Sequence, residues 1–161
     1  MIRAIVTVGF VGLIRPAPGT WGSLAALPLA WLVARGFGGA GLIVATLAVA
    51  ALGLWATRAY LAGRAEDPSE VVIDEVAGQW VALWPVVLGA LNNDVALLAL
   101  WPGWVAAFLL FRLFDITKPW LVGWADRQHG AVGVMLDDLI AGVFAAIGVT
   151  LLAGLYHGLL A

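Results

Sequence analysis

The chain has 161 residues, enough for one domain; 63% are hydrophobic and 11% charged, against roughly 25% charged in soluble domains. A mean hydropathy of +1.02 places it in a bilayer. A formal charge of −2, with no run of Lys or Arg, excludes a nucleic-acid partner, and the absence of cysteine removes disulfides, thiolate catalysis and Cys-ligated metals.

In chain order, the first apolar piece fills the 11 residues 4–14 between Arg3 and Arg15. It is too short to cross a bilayer, and RPAPGTWGS follows it instead of a small-residue cleavage site. It therefore reads as an interfacial or re-entrant segment that stays in the mature protein. In RPAPGTWGS the prolines fix an extended approach and Gly19 and Gly22 allow close backbone contact. Thr20 and Ser23 can cap the next helix and present its N–H groups to an anion. That helix is expected over about residues 23–33, interrupted by Pro28, as a short, broken or re-entrant span.

Uncharged runs then cover residues 36–57, 76–93, 95–111 and 139–161, with lengths of 22, 18, 17 and 23. Each is near the ~20 residues that cross a bilayer as a helix. The fold class this predicts is all-α: a polytopic membrane helical bundle of about four to five spans plus the N-terminal segment, forming a single domain over residues 1–161. Thirteen of the eighteen charges fall within residues 64–75 and 112–138. If the runs cross alternately, RPAPGTWGS and both charged stretches emerge on one face. That face carries most of the Lys and Arg and is cytoplasmic by the positive-inside rule.

Two acidic pairs stand out. Asp74-Glu75 and Asp137-Asp138 each precede a short apolar stretch and a glycine, and both read as helix N-termini. Capping and the helix dipole would favour one carboxylate at such a place. Paired carboxylates at a membrane surface cost desolvation unless a cation neutralises them. With Asp115 nearby they suit a hard cation, most naturally Mg²⁺ beside a substrate phosphate. In FRLFDITKPW, Arg112 and Asp115 are helical i, i+3 neighbours and Lys118 continues the row until Pro119 ends it. Either the three form an ion pair and a snorkelling anchor beside Trp120 and Trp124, or the cations hold an anionic group while Asp115 binds metal or acts on the reacting atom. His129, in a loop, is solvated or serves as phosphate ligand or general acid. The parts match metal-assisted phosphoryl chemistry on a lipid.

The blocks RPAPGTWGSLAALP, IDEVAGQW, FRLFDITKPW and GVMLDDLIAGVFAA, in this order, resemble the phosphatidylglycerophosphatase A family over nearly the whole chain. The resemblance implies Mg²⁺-dependent hydrolysis of the terminal phosphate monoester of phosphatidylglycerophosphate to phosphatidylglycerol and phosphate. It also implies a phospholipid substrate and a cytoplasm-facing site in the bacterial inner membrane. Carried onto this sequence, Asp74, Glu75, Asp115, Asp137 and Asp138 hold the metal and Asp115 and Asp138 are catalytic candidates, to which the residue reading adds His129 as general acid. Arg15, Thr20, Ser23, Arg112 and Lys118 bind the substrate. A small ion-coupled transporter would place its charges at mid-span depth. A module that merely binds anionic lipid would need the Arg and Lys but not the acidic pairs.

Overall fold

The computed structural model describes residues 1–62 and 68–160, so Arg64, Glu66 and Asp67 of the first charged stretch lie outside the described residues. The described residues form α1 (Ile2–Val6), α2 (Pro18–Leu61), α3 (Ile73–Asn92), α4 (Trp101–Thr117), α5 (Leu121–Asp126) and α6 (Ala131–Leu160), with single 3-10 turns at Val11–Leu13 and Leu97–Leu100. No strand occurs among them. The all-α expectation holds.

α2 folds back on itself. Gly38 adopts φ 69 and ψ −170, a conformation that glycine reaches without steric cost. The outgoing arm has Gly22 against Val72 and Glu75 and Ala26, whose carbonyl accepts the Trp80 indole N–H at 2.9 Å, and just past the turn Gly39 lies against Leu88 and Leu91. The returning arm runs the other way along α3. Its Thr46 accepts the Trp84 indole N–H at 3.2 Å, and Gly53 sits against Ile73 and Met135. Both ends of α2 thus lie beside the start of α3.

Three of the sequence expectations need correction here. The outgoing helix begins at Pro18, five residues before Ser23, and continues through Pro28. Proline at the first helical position is favourable because its missing N–H has no helical partner there, and packed neighbours tolerate Pro28 deeper in. Ser23 is consequently an interior residue and not a cap. α6 begins at Ala131, so Asp137 and Asp138 lie about two turns inside it. The chain leaves Gly130 at φ 77, and the uncharged AVGVML sequence offers nothing to delay the helix. Asp74 and Glu75 do lie in the first turn of α3, but no side-chain cap bond forms there.

α3 is the central element. Fourteen of its twenty residues are buried. Trp80, Leu83 and Val87 pack with Trp104 and Phe111 of α4 and with Ala141 and Ala145 of α6. A second cluster joins Val6, Ala56, Ile73, Ala77 and Met135, and the Val72 N–H donates to the Val6 carbonyl at 2.8 Å, tying the N-terminal segment to the head of α3. Segments Pro18–Leu61, Leu97–Thr117 and Ala131–Gly158 are three helices long and apolar enough to cross a membrane. Their outward Leu32, Leu47, Leu109, Ile147 and Leu151 are exposed, as a wall facing lipid tails requires.

α3 and α6 cross with backbone against backbone. A methyl on Gly78 would lie 2.5 Å from the Asp138 carbonyl oxygen, and one on Gly142 would overlap the Gly78 carbonyl. Small residues of this kind allow van der Waals contact between membrane helices at short range. Gly142→Leu is expected to lower the melting temperature in detergent by about 2–12 °C, the scale of overpacking in a chain of this size. An unchanged melting curve would show that the crossing is looser than described.

Candidate active site

The heads of α2 and α3, the end of α4 and the second turn of α6 meet around a cavity of about 340 Å³. Among the described residues, six carboxylates, Asp74, Glu75, Asp115, Asp126, Asp137 and Asp138, and two cations, Arg112 and Lys118, line it. Counted over these described residues, that is a formal excess of four negative charges in a site walled by apolar helices. Such an excess is unfavourable without further cations.

Each acidic pair divides its labour in the same way. The first member accepts the N–H of the second: Asp74 Oδ1 from Glu75 at 2.9 Å, and Asp137 Oδ1 from Asp138 at 2.9 Å. The second member joins Asp115, and oxygens of Glu75, Asp115 and Asp138 all lie within 4.8 Å of one another. This buried group can hold a metal ion, and its all-oxygen donor set suits a hard divalent cation. Asp74 and Asp137 line the same cavity but stand outside the three-carboxylate group.

Arg112 clamps this group. Its Nη1 donates to Glu75 Oε2 at 2.5 Å and to Asp115 Oδ2 at 2.7 Å, the latter across one helical turn as the i, i+3 spacing requires. Ser23 supports Glu75 from the other side, its hydroxyl donating to Oε2 at 2.7 Å. Gly19 belongs to the same arrangement. A Cβ there would overlap the Glu75 carboxylate and come within 3.2 Å of Arg112 Nη1, so the glycine lets the head of α2 approach the charges.

Lys118 departs from the row expected for it. It adopts φ 45 at the end of α4, and that left-handed residue turns the chain away before Pro119. Its ammonium pairs with Asp126 and, at 2.9 Å, with Asp137 Oδ2. Burial pushes its pKa down, but the hydrogen bonds to Asp126 and Asp137 outweigh that and hold it above the ordinary lysine range. Lys118 is therefore a fixed cation at neutral pH.

Other sequence candidates stand apart. Arg15 is exposed and donates to Ser69 Oγ at 3.3 Å, reaching the cavity only through that neighbour. Thr20 is half-buried and does not line the cavity, and His129 is exposed in the turn before α6, outside it. Asp126, Ser69 and Thr57 line the cavity without having been singled out. The charge clustering contained a signal for Asp126, whereas Thr57 lies in an apolar run with no local motif.

Comparison with known proteins places this site in context. The profile of the family described as phosphatidylglycerophosphatase A matches residues 4–153. The chain belongs to the phosphatidylglycerophosphatase A family. It is 35% identical over 146 residues to phosphatidylglycerophosphatase A of Escherichia coli, covering 88% of this chain and 78% of that protein. The corresponding protein of Haemophilus influenzae is 34% identical over 146 residues, covering 89% of this chain and 83% of its own length. A putative phosphatidylinositol-3-phosphatase of Bacteroides thetaiotaomicron is 44% identical over 96 residues, which are 59% of this chain and 55% of that protein. No solved structure matches the chain. The stretch shared with the family contains every cavity residue, from Pro18 to Asp138.

Since Ser23 orients Glu75 without joining the three-carboxylate group, Ser23→Ala is expected to weaken divalent-cation binding by about 10–100-fold, as loss of an outer partner typically does. Calorimetric titration of the purified protein with Mg²⁺ reads this directly. Equal affinity for both forms would remove Ser23 from the support of the site.

Proposed function

We infer that this chain hydrolyses the terminal phosphate monoester of phosphatidylglycerophosphate, giving phosphatidylglycerol and inorganic phosphate in bacterial phospholipid synthesis. The observation that carries this reading is the carboxylate triad flanked by Arg112 and Lys118 at one end of an apolar bundle, in a chain of this family. A phosphate monoester is anionic and would be repelled by a site with excess negative charge, so the substrate and a cation bind together.

Glu75, Asp115 and Asp138 would hold Mg²⁺, with Asp74 and Asp137 beside them. When bound, the ion offsets the acidic excess and polarises the phosphoryl oxygens. The chain's own residues do the rest. Lys118 and Arg112 draw phosphate oxygens toward the triad and fix the phosphorus in line with an attacking water. Asp74, which has no cationic partner among the described ion pairs, takes the water proton. Asp115 is instead engaged by the Arg112 guanidinium at 2.7 Å and belongs to the metal-binding triad. The new P–O bond forms as the glycerol P–O bond breaks, and the glycerol oxygen takes up a proton from solvent water at the mouth of the cavity, which Asp74 replaces when it releases its own. His129, exposed and off the cavity, has no part in this scheme.

The two arms of α2, with α3, α4 and α6, make five crossing segments of a single domain. Arg15, Arg112, Lys118 and Arg127 gather at the site end while Arg35 lies near the Gly38 turn, so the site faces the cytoplasm across the inner membrane. Trp21, Trp120 and Trp124 are exposed at the site end, where interfacial tryptophan belongs. The charges collect at one end of the bundle and not at mid-depth, which favours an enzyme over an ion-coupled carrier.

The decisive assay is phosphate release from phosphatidylglycerophosphate in detergent by wild type and Asp138→Asn, with Mg²⁺ or with excess chelator. Release is expected from wild type in Mg²⁺, with chelator or the substitution reducing it at least about 100-fold. A folded wild type that stays silent in Mg²⁺ would sink the reading.

A further inference from the structure

Thr57 lies near the end of the returning arm of α2, one turn after Gly53, whose close contact with Met135 brings that arm against α6. Threonine inside a helix ordinarily donates to the carbonyl four residues earlier. Thr46, Thr117 and Thr150 do so here, to Leu42, Leu113 and Ala146 at 2.7, 2.7 and 2.9 Å. Thr57 does not. It is fully buried, its hydroxyl has no partner among the described residues, and it forms part of the wall of the charged cavity. A buried hydroxyl without a partner is costly, and the usual acceptor for a helical threonine, the carbonyl four residues back, is left unused here. Arg112, on the same cavity, likewise keeps a buried Nε–H without an acceptor.

We propose that Thr57 is a substrate-binding residue whose hydroxyl donates to an oxygen of the bound phosphoryl group, completing a phosphate site with Arg112 and Lys118. The inference deepens the phosphatase reading and rests on it for the identity of the lipid, though not for the anion. Asp74 and Asp138 on the cavity wall lack N–H or O–H donors when ionised, so a donor from α2 supplies what the acidic helices cannot. Inorganic phosphate, the small product, presents the same oxygens as the lipid headgroup.

Calorimetric binding of inorganic phosphate in Mg²⁺ tests this on wild type, Thr57→Val and Thr57→Ser, alongside melting temperature and the KM for phosphatidylglycerophosphate. Thr57→Val preserves shape and removes the donor. It is expected to raise the phosphate Kd and the KM by about tenfold or more, the scale of a hydrogen bond to a charged oxygen, with the melting temperature held or increased. Thr57→Ser recovers most of the lost phosphate affinity. A Thr57→Val Kd within twofold of wild type overturns the proposal, as does a loss in Thr57→Ser equal to that in Thr57→Val, which would mark a packing role. If wild type binds phosphate but hydrolyses no phosphatidylglycerophosphate, the reaction assignment fails while the Kd comparison still decides the role of Thr57.

Discussion

Gly78 of α3 and Gly142 of α6 meet backbone to backbone, and this crossing sets where the charges go. Glu75 lies one turn before Gly78 and Asp138 one turn before Gly142, so the contact that joins the helices also sets the two carboxylates beside each other. A side chain at either glycine would push α3 and α6 apart and separate the triad. In a bilayer, where apolar side chains gain nothing by leaving lipid, close packing of small residues is a principal source of helix association. This one contact therefore contributes to both stability and site geometry.

Charge imposes the next constraint. Arg112 spans Glu75 and Asp115, and Lys118 spans Asp126 and Asp137, yet the cavity keeps a surplus of negative charge. Removing one partner from such a buried arrangement strands the other, so each ion pair is worth more as neutralisation than as net stabilisation. The surplus gives the cavity an affinity for cations, and a cation in turn makes an anionic headgroup welcome. Placing all of this at one end of the bundle lets a lipid present its phosphate from the membrane surface while its tails stay among the exposed leucines and isoleucines.

Much of this was legible in the sequence because it rests on local chemistry. Long uncharged runs require helices in a bilayer, and 13 of 18 charges in two stretches require a polar end. The i, i+3 spacing of Arg112 and Asp115 put the two within reach of the ion pair they form, one of the two readings the sequence left open. Helix starts were harder to place. Pro18 and Ala131 begin helices well before the residues that looked like caps, because apolar sequence next to a membrane helix can extend it at little cost. Lys118 left its row because a left-handed residue at the helix end reverses the chain.

The sequence by itself determined the class of the molecule, the charged face, the family and most of the charged residues on the cavity wall, since periodicity, composition and ordered motifs act over a few turns of chain. The tertiary structure alone decided which carboxylate of each pair turns inward, that Ser23 supports Glu75 across 52 residues, and that Thr57 stands in the wall. Those outcomes depend on how α2 folds back at Gly38 and how closely α3 meets α6. Both are contacts between residues far apart in the chain, and no local pattern around Thr57 encodes them.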